Sequence, residues 1–233
     1  MKKTTLFLFG LLISLISLGQ VNSDQEKVDS AFRQSFATGQ DQLQPIIQKL
    51  KEDQSANTYW IAYAQLYQSI FFMQTGQKDQ ARSSVEKAIE LLQNADDKNS
   101  EDHALLGYML GYSISLDPSA AGRLSAKAAS EYKEALKKNE NNMRAYLGMG
   151  ESDFYKPAAF GGGEKVEEYL LKAISLDEQT FEDGPSWGEN QAFYLLSSFY
   201  QREGQTDKAK LYCMQGLSRY PQDLRLNQLK QSF

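Results

Sequence analysis

A helix–turn–helix unit near the C-terminus is the feature that most limits how this chain can fold. Residues 190–223 place apolar and small side chains at helical spacing on both sides of Gly204, and Pro221 ends the second helix. The positions that define the unit are Leu196, Ser197, Tyr200, Gly204, Ala209, Gly216 and Leu217. Because one such unit cannot bury its own apolar face, it must stack on similar units.

Earlier copies of this unit are recognised by their second helices. In each copy a small residue is followed seven positions later by another, which puts both on one helical face. The pairs are Ala81/Ala88, Ala128/Ala135, Val166/Ala173 and Ala209/Gly216. We therefore predict a repeat domain over residues 57–233, with hairpins at 57–95, 100–140, 141–180 and 186–223. Two shorter amphipathic stretches predict an N-terminal helical cap over residues 20–56.

The spacing within these units resembles the tetratricopeptide repeat (TPR), a helical hairpin of about 34 residues. The resemblance implies an all-α fold, an α-solenoid of stacked TPR-like hairpins, whose first helices line a concave groove. It also implies a non-enzymatic scaffold or adaptor that binds a protein or peptide partner. The Pro-x-x-Phe-Gly-Gly sequence from Pro157 and the Pro-Ser-Trp-Gly sequence from Pro185 look similar to those of secreted bacterial TPR proteins of unassigned role.

Three segments are longer or less regular than the repeat requires. Extra residues fall at 117–122 and at 155–163, and residues 181–188 join the third hairpin to the fourth. Insertions in solenoids map to loops on one face, where specificity often lies, so we predict loops at all three places. Ser186 and Glu189 have the spacing of a capping box that begins the last first helix.

The groove positions supply the candidate partner-binding residues. They are neutral tyrosine, methionine, serine and amide side chains, which can hydrogen-bond an extended backbone and pack small side chains. The candidates are Tyr108, Asn142, Met149, Gln191, Tyr194 and Ser198. An alternative is that Tyr108 and Tyr194 pack against neighbouring repeats.

One well-known TPR function does not carry over to this chain. TPRs that clamp a chaperone's C-terminal carboxylate resemble one another by Lys and Asn at groove positions. This chain has Ala145, Met149, Tyr194 and Ser198 at those positions instead. The partner therefore remains a protein or peptide of unknown identity.

A second hypothesis is a carrier of a small ligand. Tyr155, Phe160 and Trp187 lie in the two longest irregular segments, at 155–163 and 181–188. Together with the groove they could close a pocket, since ligand pockets are concave and largely apolar with a few polar anchors.

The N-terminus has the pattern of a signal peptide at residues 1–19. Lys2 and Lys3 precede thirteen mostly apolar residues, and small residues allow cleavage before Gln20 or before Asp24. An uncleaved anchor is the alternative, but a membrane-spanning helix needs about 20 apolar residues. We expect export to the periplasm or beyond, without stable membrane insertion after cleavage. Cleavage changes the net charge from −5 to −7, which argues against nucleic-acid binding.

The residues that could carry chemistry are few and separate. His103 is the only histidine and Cys213 the only cysteine, and neither has a partner at metal-ligand or catalytic spacing. We expect His103 at a solvated helix start and Cys213 buried and inert. The glycines at 161–163 lack the Lys-Ser/Thr of a phosphate-binding loop and precede Glu164. No enzymatic activity, metal or cofactor is expected.

Overall fold

The computed structural model describes residues 23–53, 57–176 and 184–233, so the predicted signal peptide lies outside the described residues. Within these ranges the chain forms eleven α-helices and two short 3-10 helices, η1 and η2, and no strand. The α-helices are α1 (Ser23–Thr38), α2 (Leu43–Glu52), α3 (Thr58–Gln74), α4 (Lys78–Gln93), α5 (Ser100–Leu116), α6 (Ala121–Lys138), α7 (Met143–Tyr155), α8 (Val166–Ser175), α9 (Glu189–Arg202), α10 (Thr206–Arg219) and α11 (Leu224–Lys230).

The helices pack as consecutive hairpins that stack on one another. Hairpins form between α3 and α4, α5 and α6, α7 and α8, and α9 and α10, and each second helix also packs on the next first helix. Helices α1 and α2 pack on α3 at one end, and α11 packs on α9 and α10 at the other. The predicted all-α solenoid is confirmed. None of the described helices is long and apolar enough to cross a bilayer.

The small residues that defined the repeats lie in the core between helices. Ala81, Ala88, Ala135 and Ala173 have no exposed surface. At this spacing small side chains let helix axes approach to about 8–10 Å, which draws neighbouring hairpins together. The pattern of residues seven apart therefore marks the faces that hold the stack together.

The loop predicted at residues 117–122 is mostly helical, so this prediction is wrong. Helix α5 continues to Leu116, η1 covers Pro118–Ala120, and α6 begins at Ala121. The extra residues lengthen both helices because Tyr112 and Ile114 find apolar surface to cover on the main core.

The segment after α7 is an ordered turn. It contains η2 (Ala158–Phe160), and the backbone N–H of Gly163 donates to the Asp153 carbonyl at 3.1 Å. A Cβ on Gly162 would overlap the carbonyl oxygen of Lys156. Glycine is therefore required at position 162, because the chain folds back so that its backbone there lies against the backbone of Lys156.

The last first helix begins differently from the prediction. Gly188 is the N-cap residue of α9, with φ +111°, and no side chain caps the helix, so the predicted capping box of Ser186 and Glu189 is not formed. Glu189 instead accepts a hydrogen bond from the Tyr220 hydroxyl at 2.5 Å and pairs with Arg219. Because Gly188 turns the chain sharply, Trp187 points back toward the first helices.

Helix α11 was not predicted. Asp223 caps it by accepting from the Leu226 backbone N–H at 2.9 Å, and Leu226 is fully buried in a cluster with Phe193 and Cys213. A short terminal helix of this kind closes the apolar end of the stack.

Candidate functional site

The first helices α3, α5, α7 and α9 contact one another in succession, and we name the side of the stack that they form the concave face. Two parts of it differ in what covers them. Residues 184–188, which we name the Trp187 segment, lie over side chains of α3, α5 and α7. The remaining part, toward α9 and α11, carries side chains that this segment does not contact.

Trp187 is held by side chains from three helices. Its indole Nε1–H donates to the Tyr59 hydroxyl at 2.7 Å. Its ring centroid lies 6.0 Å from that of Tyr63 and 5.3 Å from that of Tyr108, and the Arg144 guanidinium carbon lies 5.4 Å from the ring. We name these four residues, Tyr59, Tyr63, Tyr108 and Arg144, the aromatic floor.

The backbone of the Trp187 segment is also bound by side chains. The backbone N–H of Ser186 donates to the side-chain oxygen of Gln25, on α1, at 2.8 Å. The Arg144 guanidinium donates to the Pro185 carbonyl. The side chain and the backbone of the segment are therefore both bound, because the Trp187 ring, the Ser186 N–H and the Pro185 carbonyl each have a partner.

Arg144 is positioned by a buried ion pair. Its guanidinium lies 3.3 Å from Glu101, and the two side chains are only 7% and 19% exposed. Glu101 also accepts from the Asn142 amide at 3.0 Å. Burial raises the pKa of Glu101, and the nearby Arg144 charge opposes that rise. The ion pair with Glu101 fixes the orientation of the Arg144 guanidinium, which points toward the Trp187 segment.

Five side chains form what we name the open section of the concave face: Glu151, Tyr155, Gln191, Tyr194 and Arg225. The Gln191 amide donates to Glu151 at 2.9 Å and to the Tyr108 hydroxyl at 3.0 Å. The Arg225 guanidinium lies 5.1 Å from the Tyr194 ring. Tyr155 is 66% exposed. The two sections therefore meet at Tyr108, which contacts both Trp187 and Gln191.

Burial shifts the titration of the groups around the open section. Burial raises the pKa of Glu151 to about 7, although the Arg225 charge and the Gln191 hydrogen bond lower it in part. Burial likewise raises the pKa of Tyr67, on α3, to about 12, and Arg225 acts on that group too. Tyr67 therefore stays protonated at neutral pH, while Glu151 is poised between its protonated and its charged form.

The structure brings some of the predicted site residues together. Tyr108, Gln191 and Trp187 form one contact group, and the pKa of Tyr155 is raised by burial and by the charges of Glu151 and Tyr194. Tyr108 and Tyr194 each pack against a core cluster, as the alternative for these two residues expects, and their contact with a partner stays a prediction.

Other predicted site residues lie elsewhere. Asn142 is 1% exposed and caps α7 by accepting from the Ala145 backbone N–H at 2.8 Å, so its side chain is used within the stack. Met149 packs against the main core. The Ser198 hydroxyl oxygen is buried, and no partner for it is found among the described residues. Phe160 is 73% exposed on η2, and no described contact joins it to Trp187 or Tyr155.

Tyr59, Tyr63, Arg144, Glu151 and Arg225 were missed as site residues. One signal could have found Glu151: counting three positions on from the small residue of each first helix leads from Ser197 to Tyr200 and from Gly148 to Glu151. A carboxylate therefore stands where the best-preserved repeat has an aromatic ring. The other four depend on how distant helices approach, which the repeat spacing does not indicate.

The residues considered for other chemistry are in structural roles. His103 is 9% exposed, and its Nδ1 lies 2.7 Å from Glu131, so the predicted solvated position is wrong. The predicted burial of Cys213 is confirmed, and burial raises the pKa of its thiol. Among the described residues no group of three or more His, Cys, Asp or Glu side chains could hold a metal ion.

The chain is similar to known TPR proteins in sequence at one repeat and in fold over most of its length. The family model described as tetratricopeptide repeat matches residues 191–223. A thermophilic TPR protein of Thermus thermophilus is 19% identical, with 90% of this chain and 98% of that chain covered and a TM-score of 0.56. The HusA haemophore from Porphyromonas gingivalis is 24% identical, with 77% and 92% covered and a TM-score of 0.56.

These similarities establish the fold and not the ligand. The comparison with curated proteins gives no match. At identities below a quarter, the two solved structures show a shared architecture alone. The chain therefore has one repeat that its sequence identifies as a tetratricopeptide repeat, at residues 191–223, and a fold like that of TPR proteins over most of its length.

Proposed function

We propose that this protein is a non-enzymatic scaffold or adaptor of the cell envelope that binds an extended segment of a protein partner on its concave face. The TPR fold supports a protein-interaction scaffold in general. The observation that carries the finer proposal is the open section, where the exposed Tyr155 and the packed pair of Tyr194 and Arg225 accompany Gln191, whose amide donates to Glu151. The envelope location rests on the sequence pattern of residues 1–19.

The chemistry of the open section suits an extended peptide. Tyrosine side chains bury a large area while losing little conformational entropy, and their hydroxyls accept or donate hydrogen bonds. An amide such as Gln191 can bond a peptide backbone, and Arg225 can bind a carboxylate or a carbonyl. Specificity would come from the contrast between Glu151 and Arg225, which favours a partner with complementary charges.

A site-specific crosslinking experiment tests this proposal. A photo-crosslinking amino acid replaces Tyr155 in the open section or, as the control, Leu211, which is 51% exposed on α10. We expect one predominant crosslinked envelope protein from position 155 in native cells and none of it from position 211. The Tyr194→Ala variant should weaken that crosslink several-fold. Equal crosslinking from both positions, or none from position 155, would contradict the proposal.

A second candidate function is a carrier of a small planar ligand. Gln191 donates to both the Tyr108 hydroxyl and Glu151, and the Arg225 guanidinium lies 5.1 Å from the Tyr194 ring, so tyrosine side chains lie beside a carboxylate and a guanidinium. A protein of the same fold is described as a haemophore. Haem as cargo could stack on tyrosine rings, take a phenolate as an iron ligand, and set a carboxylate against Arg225.

Ligand titration separates the two candidates. Haem is added to the purified protein, and the Soret band and the melting temperature are followed. A carrier predicts saturable binding, a rise in melting temperature by mass action, and loss of both in the Tyr155→Ala/Tyr194→Ala variant. The scaffold proposal predicts no saturable change that depends on these two tyrosines.

A further inference from the structure

We infer that the aromatic floor is an acceptor site for an extended peptide carrying an indole or a similar aromatic side chain, and that the chain's own Trp187 segment occupies it until such a peptide displaces the segment. The inference rests on the proposed function, in which the partner is a peptide. It adds the chemistry of the partner and a means of regulating access to the concave face.

The contacts to the segment are those of a recognition site. The ring of Trp187 is packed by two tyrosine rings and a guanidinium, and its N–H has a dedicated acceptor in the Tyr59 hydroxyl at 2.7 Å. Both polar atoms of the peptide group between Pro185 and Ser186 are bound, the N–H by Gln25 and the carbonyl oxygen by Arg144. Peptide-binding grooves use this combination of an aromatic pocket with side-chain bonds to an extended backbone.

The aromatic floor is held in place by groups other than the segment. Tyr59 packs edge-on against Trp60 at 4.9 Å, and the Tyr63 hydroxyl donates to Asp29 at 3.1 Å. Arg144 is paired with Glu101. Because these supports come from α1, α3 and α5, the aromatic floor keeps its shape when the segment leaves. Binding to a preformed site of this kind costs little conformational entropy.

The segment itself is bound without the hydrogen bonds of secondary structure. Among the described residues, positions 184–187 form no backbone–backbone hydrogen bond. Helix α9 begins after them, at Glu189. Displacement therefore breaks the contacts to the aromatic floor and to Gln25 but leaves the helices intact. This is the arrangement expected of an internal occupant that can exchange with a ligand.

The position of the floor next to the open section explains how a partner could compete. A tethered segment has an effective concentration on the order of millimolar, so a short free peptide displaces it poorly. A partner that also binds the open section gains contacts that the segment lacks. Tyr108 belongs to the boundary of both sections, so one extended chain could run from the floor past Gln191.

A peptide-binding experiment on the full chain tests the inference. The probe is the seven-residue peptide Asp-Gly-Pro-Ser-Trp-Gly-Glu, the sequence of residues 183–189, and the control peptide has Ala in place of Trp. Binding is measured by calorimetry to wild type, to Trp187→Ala and to the control variant Leu211→Ala. We expect Trp187→Ala to bind the probe at least about tenfold more tightly than the other two proteins, because the tethered competitor is removed. The control peptide should not bind.

A second variant covers the case in which Trp187→Ala does not fold. Trp187→Phe keeps an aromatic ring but removes the indole N–H that Tyr59 accepts, so its affinity for the probe should lie between those of wild type and Trp187→Ala. Folding of each variant is checked by circular dichroism. Failure of every folded variant to bind the probe more tightly than wild type would overturn the inference.

The outcome is independent of the crosslinking test. If position 155 crosslinks no partner but Trp187→Ala binds the probe, the acceptor site stands and the adaptor proposal fails. If position 155 crosslinks a partner and the probe binds no variant, the adaptor proposal stands and the Trp187 segment is a fixed part of the fold.

Discussion

Glu151 is an ionisable side chain at a position where burial disfavours its charged form. Its pKa is about 7 in the folded protein against an ordinary value of 4.5. Between these values the folded state binds more protons than the unfolded state, so the contribution of this group to stability is fully present below pH 4.5 and is lost as pH rises through 7. The main cause is desolvation, and Arg225 offsets only part of it.

The Glu151→Gln variant should therefore become more stable relative to wild type as pH rises. We expect the difference in free energy of unfolding between variant and wild type to increase by about 2–3 kcal/mol from pH 5 to pH 8. Urea unfolding at both pH values measures it, and the remaining titrating groups cancel in the comparison. Glu134→Gln is the control: Glu134 is exposed and its pKa is lowered by Lys137, so this variant should show no such gain. A pH-independent difference for Glu151→Gln would contradict the account.

Gly148 tests close packing at a single residue. A Cβ at this position would overlap the ring of Tyr132, which reaches it from α6. We expect Gly148→Ala to lower the free energy of unfolding by about 1–3 kcal/mol, because the ring must shift in a packed interior. Gly122→Ala is the matched control: no atom lies within 4 Å of its added Cβ, and alanine favours the helix. Thermal unfolding should show loss in the first variant and no loss in the second.

The two residues differ in how far the sequence predicts them. A small residue at 148 follows from the repeat spacing, since Ser197 stands at the same place in the last unit. The raised pKa of Glu151 does not, because it comes from burial in the folded chain, and Gln191 and Arg225, which approach from α9 and α11, reduce it only in part.

At the level of elements, the N-caps show how one residue can join two hairpins. Asn142 caps α7 and also donates to the Ser100 hydroxyl at 2.8 Å and to Glu101 at 3.0 Å. Asn57 caps α3 by accepting from the Tyr59 backbone N–H at 2.9 Å and is exposed. The two residues therefore separate the local effect of a cap from its effect on stacking.

Replacing each of these caps with alanine should give unequal losses. We expect Asn57→Ala to lower the free energy of unfolding by about 1 kcal/mol, the usual value for a cap. Asn142→Ala should cost about 1–3 kcal/mol more, because the buried Ser100 and Glu101 lose a hydrogen-bond partner. Chemical denaturation of the two variants measures the difference. Equal losses would mean that Asn142 acts on its own helix alone.

The helices at the repeat positions were predictable, and the connections were less so. Comparing the lengths of the repeats shows that the second repeat has extra residues, but it does not show whether these residues form a loop or a helix. Helix formed at 112–116 because Tyr112, Ile114 and Leu116 had core surface to cover. Helix α11 was missed because seven residues give too short a pattern, and Leu226 is recognised as core only beside Phe193 and Cys213.

For the whole molecule, the Trp187 segment changes how the solenoid holds together. In an ordinary repeat array each unit contacts only its neighbours, so stability is a sum of local terms. Here Trp187 bonds Tyr59, 128 residues earlier, and Ser186 bonds Gln25, 161 residues earlier. These contacts tie the start of the last hairpin to the N-terminal cap and to α3 across the concave face. Repeat spacing carries no information about such contacts, so the sequence could not predict them.

Removing this tie should make the two ends of the molecule unfold separately. Trp60, 4% exposed in α3, reports the N-terminal half by fluorescence, and Cys213, fully buried in α10, reports the C-terminal end by thiol labelling. In wild type we expect both probes to give one urea midpoint.

In Trp187→Ala the free energy of unfolding falls by about 2–3 kcal/mol, less than for a fully buried tryptophan because Trp187 is half-buried. Cys213 should then become reactive at a lower urea concentration than that at which the Trp60 emission changes, because the last hairpin keeps its contacts with the neighbouring helices α7, α8 and α11 but only the Tyr108–Gln191 hydrogen bonds to earlier helices. Phe160→Ala, which removes an exposed ring, should leave the two midpoints together, and coincident midpoints in Trp187→Ala would show that nearest-neighbour stacking alone gives the molecule its cooperativity.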